Sequence, residues 1–468
     1  MSRKLKKEKF ENLEVIDINK KGKGVVKSES GQIIFVDGVV PGDLISTETY
    51  KKRKGYWEGN LIKINKKSSN RIKPICEHFG TCGGCKWQNL DYKTQLKFKQ
   101  KEVLHNLKHI AKMIIPKIER IKKVNSKFFY RNKMEYSFSS NRWLSKDEIR
   151  KSTKINDKNA LGLHKSGMWD KVVDINQCYL QKEPSNLIRN GLKEFCLSNK
   201  MRFYNLKKNV GFLRSMIIRN SSENQFMVLI QFSINDRPKI KKVMNFLKDN
   251  FKIESLLYCV NTKLNDSIYD QKIELFNGSD YIIEKMENLY FKINIKSFYQ
   301  TNSDQAYELY KIIRDFADLT GEEIIYDLYT GTGTIAQFIA NRCKKVVGID
   351  IVKESIIAAK DNAIYNKIKN VFFELGDVKN NFNEIFTKKY GIPDIIITDP
   401  PRNGMDKSII NKILSISPNK LIYVSCNSST QARDLSYLSN DYKMTRCRAV
   451  DMFPHTNHIE NVVLLEKQ

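Results

Sequence analysis

Residues 327–334 read Asp327-Leu328-Tyr329-Thr330-Gly331-Thr332-Gly333-Thr334, between a strand-like run at 324–328 and a helical pattern at 334–341. The two glycines permit a tight turn and let a ligand approach the main chain closely. A glycine pair after a strand fits many nucleotide-like ligands. The stretch therefore predicts a ligand loop at the carboxyl end of a strand, and its neighbours must decide the ligand.

The last third of the chain alternates strand-like and helical runs. Strands are predicted at 324–328, 345–349, 371–374, 394–398 and 421–424, with helices at 334–341, 354–365 and 409–414. This alternation predicts an α/β domain with a doubly wound parallel sheet. The last two runs, 445–450 and 462–465, have no long helix between them and are predicted to pair antiparallel.

Two acids follow the next two predicted strands. Asp350 ends the second strand, where its carboxylate can accept hydrogen bonds from ribose hydroxyls, and Asp377 follows the third. This arrangement is typical of methyltransferases that use S-adenosylmethionine (AdoMet), a ligand without a pyrophosphate to be bound by a third glycine. An NAD site is the alternative reading of the same residues.

The fourth strand is followed by Asp399-Pro400-Pro401-Arg402, and the fifth by Ser425-Cys426-Asn427. Paired prolines stiffen the loop, and Asp399 can bind either substrate. The absence of an aromatic residue after the prolines argues against an amine target. A carbon target needs a nucleophile, which Cys426 can supply, although a buried core cysteine is the alternative.

Uracil C5 is one carbon that needs such help. Thiolate addition at C6 makes C5 nucleophilic, and the C5 proton must be removed after methylation. Glu460 is the predicted base, and His455 and His458 are alternative bases. Glu460 could instead be a surface carboxylate without a catalytic role. Cytosine-5 enzymes use the same addition, but they usually place a cysteine beside the prolines, where this chain has none.

The composition indicates a polyanionic partner. There are 81 Lys+Arg against 52 Asp+Glu, a formal net charge of +29, and a lysine-rich codon bias does not explain the excess of cations over anions. No apolar run of about 18 residues predicts a membrane span, and the basic amino terminus has no apolar segment behind it. Nine cysteines in a chain without a signal peptide favour thiols or metal ligands and a cytoplasmic location.

The first third contains a predicted barrel and then a cysteine motif. Five short strands at 13–18, 24–27, 32–36, 44–50 and 57–64 predict an oligonucleotide-binding type of barrel, which resembles the TRAM domain. The basic run at 51–54, with Tyr56 and Trp57, suits contact with an RNA backbone.

Three cysteines then follow at the spacing C-x5-C-x2-C, and Cys178 is the candidate for a fourth metal ligand. Four thiolates fit an iron-sulfur cluster or a structural zinc. The motif residues are Cys76, Cys82 and Cys85.

These motifs together resemble the RNA uracil-5-methyltransferase family, in particular its iron-sulfur branch that forms 5-methyluridine in 23S ribosomal RNA. The resemblance also covers the stretch Ser297-Phe298-Tyr299-Gln300-Thr301-Asn302 and the segment 451–460. It implies Cys426 as nucleophile, Glu460 as base, AdoMet as methyl donor and a [4Fe-4S] cluster. The AdoMet contacts that it implies are Gln300, Tyr329, Thr334, Asp350, Asp377 and Asp399.

The resemblance also implies a multidomain chain. We expect an OB-like, TRAM-like barrel over 1–66, a central α+β RNA-binding domain with the cluster over 67–290, and the class I methyltransferase domain over 291–468. An amphipathic helix over about 91–113 is a candidate to pack on the catalytic domain. The expected substrate is 23S ribosomal RNA, because tRNA-specific relatives generally lack the barrel and the cluster cysteines, and the expected state is a monomer without an obligate protein partner. The alternatives are a tRNA uridine or a non-catalytic rRNA-binding assembly factor.

Overall fold

The computed structural model describes residues 7–151 and 158–468. Residues 1–6, which carry most of the basic amino terminus predicted not to be a signal peptide, lie outside the described residues. The chain forms two compact units. The first is Met1–Glu102, in its described part, with Phe453–His458, and the second is Val103–Met452 with Ile459–Gln468.

The first unit contains a closed five-stranded barrel with neighbours in the order β1-β2-β3-β5-β4. Valine and isoleucine side chains at alternate strand positions fill its interior, among them Val15, Val26 and Ile34. The predicted barrel is therefore present; β1, β4 and β5 are longer than the sequence indicated, β2 has the predicted limits and β3 is one residue shorter. Its strands are β1 (Lys9–Ile18), β2 (Gly24–Lys27), β3 (Ile33–Val36), β4 (Leu44–Arg53) and β5 (Tyr56–Lys66).

The predicted amphipathic helix is α1 (Tyr92–Ile110). Its apolar positions Val103 and Leu107 are fully buried. In the second unit, the Asn106 amide donates a hydrogen bond of 2.8 Å to the Ser428 hydroxyl.

The middle of the chain forms a seven-stranded sheet in the order β13-β12-β11-β10-β7-β8-β9 and a two-stranded sheet of β14 and β15. Strands β10 and β11 are buried along their whole length. The elements after α1 are β6 (Glu119–Lys122), β7 (Lys133–Ser139), α2 (Lys146–Lys151), β8 (Ala160–His164), β9 (Val172–Asp174), α3 (Ser185–Ser198), β10 (Leu213–Asn220), β11 (Phe226–Phe232), α4 (Arg237–Asn250), β12 (Ser255–Val260), β13 (Glu274–Gly278), β14 (Tyr281–Met286) and β15 (Leu289–Asn294).

The last third alternates helices and strands, as predicted. Its elements are α5 (Ser303–Ala317), β16 (Ile324–Leu328), α6 (Thr334–Ile339) with a 3-10 turn (Ala340–Arg342), β17 (Lys345–Asp350), α7 (Lys353–Tyr365), β18 (Val371–Leu375), α8 (Val378–Asn381), α9 (Glu384–Tyr390), β19 (Ile395–Thr398), α10 (Lys407–Ile416), β20 (Lys420–Ser425), α11 (Ser428–Leu438), β21 (Tyr442–Val450) and β22 (Glu460–Lys467).

These strands form one sheet in the order β18-β17-β16-β19-β20-β22-β21-β6. The strands from β18 to β20 are parallel, and β22 pairs antiparallel with both β20 and β21, as predicted. The chain order reverses between β16 and β19, and ligands of open α/β sheets bind at such a switch point. The eighth strand, β6, pairs with β21 and was not predicted, because its four residues lie in a stretch assigned to the middle region.

Candidate functional site

The glycine loop leaves β16 in an unusual conformation. Tyr329 has a φ of 64°, and Gly331 and Gly333 have φ values of 55° and 70°. A Cβ on Gly333 would lie 2.5 Å from the Phe373 ring, whereas nothing lies within 4 Å of a Cβ on Gly331. The first glycine therefore leaves open space beside the main chain, and the second allows close packing against the sheet.

Two acids lie directly beside this loop. The Asp350 carboxylate accepts hydrogen bonds from the main-chain N–H groups of Gly331, at 2.9 Å, and Val352, at 2.8 Å. Asp327 is buried; one of its oxygens accepts a 2.6 Å hydrogen bond from the Thr330 hydroxyl, and the other has no partner among the described atoms. A buried oxygen of this kind has capacity for a ligand donor, which fits a cationic ligand at this loop.

Burial, with a smaller contribution from the charge of the nearby Asp399, raises the pKa of Asp327 to about 7. Asp377 lies after β18, as predicted, but its carboxylate caps α8 by accepting from the Lys379 N–H at 2.9 Å. Thr334 begins α6, and its hydroxyl lies 3.2 Å from that of Thr332. All of these groups lie around the turn between β16 and α6 or at the carboxyl ends of neighbouring strands.

The segment that carries Gln300 reaches the same loop. The hydroxyl of Thr332 donates to the carbonyl of Phe298 at 3.3 Å. Two polar residues of the middle sheet region hold the segment: the Asn132 amide donates to the Gln300 carbonyl at 2.8 Å, and the buried Arg219 donates to the Ser297 carbonyl at 2.9 Å. The position of Gln300 is therefore determined partly by residues outside the α/β sheet.

The sheet register brings Cys426 and Glu460 together. Ser425, the last residue of β20, pairs with Asn461 of the antiparallel β22, so the next residue along β20 lies beside Glu460. Thr398 of β19 pairs with Tyr423 of β20, so Asp399 lies at the same edge. The nucleophile and base predicted from sequence, and the acid after β19, thus lie at the carboxyl edge beside the switch point.

This edge has an acidic, poorly hydrated environment. Burial raises the pKa values of Asp399 and Glu460, and repulsion from Asp399 raises that of Glu460 further. Burial, together with the charges of Glu460 and Asp399, raises the pKa of Cys426 to about 11. In the absence of ligands the sulfur is mainly a thiol at neutral pH, while the carboxyl pair is poised to hold a proton.

Arg402 opposes that effect, and sequence reasoning missed its role. The positive charge of its guanidinium lowers the pKa of the Cys426 thiol. The Arg402 carbonyl accepts from the Asn427 amide at 3.0 Å and from the Thr430 hydroxyl at 3.1 Å, which joins the two strand-end loops. In the sequence this position was informative only as the absence of an aromatic residue. A cation directly after a proline pair, facing a predicted thiolate, was the available signal.

The loop is also held by Asp434, another residue that the sequence did not single out. This buried carboxylate accepts a hydrogen bond of 2.6 Å from the Tyr423 hydroxyl and one of 2.8 Å from the Met405 N–H. It connects the strand before Cys426 to the loop after Asp399. A lone aspartate within a helix gives no sequence signal for this function.

Three of the cysteines predicted as cluster ligands belong to the first unit, and Cys178 belongs to the second. In the first unit, the Cys82 sulfur accepts from the Gly84 N–H and the Cys85 sulfur from the Gln88 amide, both at 3.3 Å, and Cys76 is half-buried. In the second unit, Cys178 is buried and its N–H donates to the Asn186 side chain at 2.8 Å. Across residues 7–151 and 158–468, no group of three or more His, Cys, Asp or Glu side chains is arranged to hold a metal ion.

The basic run at 51–54 lies at the hairpin between β4 and β5. Lys52 pairs with Trp57 across the strands, and its ammonium lies 5.4 Å from the indole centroid. Arg53 forms an ion pair of 3.1 Å with Glu58. No helix in the part of the chain that the structure describes has the length and apolar character needed to span a bilayer.

Comparisons with known proteins agree with this geometry. Residues 260–468 match the family model described as tRNA (Uracil-5-)-methyltransferase. An uncharacterized RNA methyltransferase of Bacteroides thetaiotaomicron is 46% identical over 95% of this chain and 99% of its own length. One from Porphyromonas gingivalis is 42% identical over 97% and 99%.

One solved structure covers almost the whole chain. It is the Pyrococcus abyssi tRNA (uracil-54, C5)-methyltransferase in complex with S-adenosyl-L-homocysteine. The identity is 30%, the TM-score 0.77, and the match covers 97% of this chain and 99% of that one.

Proposed function

This chain belongs to the AdoMet-dependent RNA (uracil-5-)-methyltransferase family, and from that premise we propose that it methylates C5 of a specific uridine in 23S ribosomal RNA. The observation that carries the proposal is the pairing of β20 with β22, which puts a thiol and a buried carboxyl side by side at the switch-point edge. A protein that only binds RNA needs neither group.

AdoMet supplies the methyl group as a sulfonium substituent. The Cys426 thiol loses its proton to solvent, and the thiolate adds to uracil C6. The π electron pair of the C5–C6 bond moves to C5, which would take the methyl group as the S–CH3 bond of AdoMet breaks and S-adenosylhomocysteine leaves. Glu460 then removes the C5 proton, and the electrons of that bond restore the double bond as the sulfur leaves C6. Arg402 favours the thiolate, and the raised pKa of Glu460 makes its carboxylate, once ionised, a stronger proton acceptor.

The AdoMet site proposed here is the loop after β16. Asp350, Asp399 and Tyr329 would contact the cofactor, together with Gln300, Thr334 and Asp377. The open space at Gly331 and the unpartnered oxygen of the buried Asp327 support this assignment. We add Asp327 to the candidates because AdoMet carries positive charge and Asp327 is a buried acid.

A tRNA uridine is the second candidate substrate. The expectation of ribosomal RNA depends partly on the barrel, which tRNA-specific relatives were expected to lack. The Pyrococcus tRNA enzyme matches 97% of this chain, so the match must include most of the barrel. The barrel therefore does not distinguish the two substrates. We also propose that the protein is a monomer located in the cytoplasm, where both RNAs are found. The proposed domain limits are 1–66, 67–290 and 291–468.

The deciding experiment supplies radiolabelled AdoMet with unmodified 23S ribosomal RNA and unmodified tRNA in separate reactions. The proposal expects 5-methyluridine in the ribosomal RNA and none in the tRNA, with no product from Cys426→Ala, which should retain RNA affinity. Product in tRNA alone would establish the second candidate. No methylation of either RNA by wild-type protein that binds both would favour an assembly factor.

The cluster is a separate proposal that rests on the resemblance and on the thiol spacing. Cys76, Cys82, Cys85 and Cys178 are proposed to ligate a [4Fe-4S] cluster. The N–H donors to the sulfurs of Cys82 and Cys85 suit thiolate ligands, whose charge such hydrogen bonds stabilise. Iron and acid-labile sulfide should be found in anaerobically purified protein and be lost in Cys82→Ser. Zinc without sulfide would contradict the proposal.

A further inference from the structure

A cavity in the middle region lies away from the elements that build the candidate active site. It has a volume of about 640 Å³, within the range of small-molecule sites. Helix α4, the edge strand β13 and its neighbour β12 form its walls. Charged and aromatic side chains line the cavity, among them Arg237, Lys241, Tyr258, Lys272, Glu274 and Phe276.

The secondary structure explains why these side chains converge. Arg237 and Lys241 are four residues apart in the first turns of α4, so they lie on one face of the helix. Tyr258 of β12 pairs with Glu274 of β13, and Lys272, which precedes β13, also lines the cavity. The cavity therefore has a cationic wall on the helix and a mixed wall on the sheet.

The charges of the cavity are not balanced internally. Lys272 pairs with Glu274 at 2.7 Å. Arg237 and Lys241 are exposed and form no ion pair with any residue in the described ranges. Two unneutralised cations at the mouth of a cavity provide an electrostatic site for an anion such as a phosphate group.

The aromatic residues suggest what accompanies the phosphate. Tyr258 and Phe276 are half-buried at the cavity wall. The Tyr258 ring is supported from one side by Phe232, whose centroid lies 6.3 Å away in an edge-to-face arrangement. Aromatic side chains beside cations bind single-stranded nucleic acid by stacking on bases while the cations contact the backbone.

We propose that this cavity binds an unpaired nucleotide of the RNA substrate, outside the uridine that is methylated. The base would stack at Tyr258 and Phe276, and the adjoining phosphates would contact Arg237 and Lys241. Glu274 supplies a carboxylate that can accept from a base amino group. This inference rests on the proposed function, because it assumes that the substrate is RNA.

The test compares two neighbouring lysines of α4. Lys241→Glu reverses a charge in the cavity, whereas Lys242→Glu makes the same change at an exposed residue of the helix that does not line it. The probe is a 20-nucleotide single-stranded RNA of mixed sequence, bound without AdoMet at several salt concentrations. We expect Lys241→Glu to weaken binding several-fold and to reduce the salt slope by about 0.7 for each phosphate that the protein no longer neutralises. Lys242→Glu should change binding less than twofold.

A second pair of variants tests stacking. Tyr258→Leu should weaken binding of the same RNA by roughly 5- to 150-fold, the range found when a stacking aromatic is removed, and Tyr258→Phe should restore it. Thermal melting checks that the variants are folded. Ultraviolet irradiation of the wild-type complex should crosslink RNA to the peptide of Tyr258 or Phe276.

The outcomes separate this inference from the proposed function. If wild-type protein methylates RNA but Lys241→Glu and Lys242→Glu bind the probe equally and no crosslink maps to the cavity, the nucleotide site is refuted and the enzyme function stands. If wild-type protein methylates no RNA, the proposed function fails, whatever the probe does. Adenosine monophosphate that binds as tightly as the oligonucleotide would overturn the inference in favour of a free-nucleotide site.

Discussion

Replacing Arg402 by glutamine should make Cys426 less reactive before any substrate is present. Burial and the nearby carboxylates raise the pKa of the thiol to about 11, and the positive charge of the guanidinium acts in the opposite direction. An opposite charge close to a titrating group lowers its pKa by about 1–3 pH units. Because Arg402 is exposed, solvent screening favours the lower end of that range. We therefore expect the pKa to rise by about one pH unit and the thiolate population below pH 10 to fall about tenfold.

The assay is the rate of alkylation of Cys426 by iodoacetamide between about pH 7 and pH 10, followed on the Cys426 peptide by mass spectrometry. Only the thiolate reacts at an appreciable rate, so the Arg402→Gln profile should move to higher pH. Lys407→Gln is the matched control, since it removes an exposed cation at the start of α10 that does not influence the thiol. Identical profiles for wild type and Arg402→Gln would refute the assigned electrostatics.

Three further predictions concern the base, the glycine loop and the buried acid. Glu460→Gln should still form the C6 adduct and transfer the methyl group, but it should release little product. Denaturing gels should therefore show methylated RNA attached to Cys426. Free product formed at the wild-type rate would exclude Glu460 as the base. Gly333→Ala should lower the free energy of unfolding by about 2–4 kcal/mol through strain and overpacking. Gly331→Ala should lower it by only about 1 kcal/mol and should also weaken AdoMet binding. Urea titration measures the stabilities and calorimetry the binding; equal stability losses would contradict the packing of Gly333 against Phe373. AdoMet affinity should rise up to about tenfold from pH 6 to pH 8, because Asp327 ionises through its pKa of about 7 and its negative charge then attracts the cation. Asp327→Asn should bind AdoMet more weakly and with a flatter pH profile. If this variant keeps the wild-type pH profile, Asp327 does not belong to the site.

The sequence predicted the elements whose patterns are local. The strands at 24–27 and 324–328 were predicted with their observed limits, because glycine turns and apolar runs identify them directly. The antiparallel pairing of the last two strands was also predicted, and it positions Glu460 beside Cys426.

Features that depend on distant residues were not predicted. Strand β6 joins the sheet by pairing with β21, more than 300 positions later in the chain, and its four residues have no distinctive pattern. The side chains of Arg219 and Asn132 hold the Gln300 segment from the middle region by donating to main-chain carbonyls, and such contacts leave no sequence motif. The role of Arg402 depends on two loops meeting in space, and only the structure shows that meeting.

Cys426 is proposed to attack C6 of the uracil whose C5 receives the methyl group. The most direct measurement incubates the protein with AdoMet and ribosomal RNA that contains 5-fluorouridine, followed by a denaturing gel and peptide mapping. Fluorine at C5 cannot leave as a proton does, so the account predicts a stable covalent adduct on the Cys426 peptide that is absent in Cys426→Ala. RNA that binds without forming this adduct, or an adduct on another residue, would contradict the account.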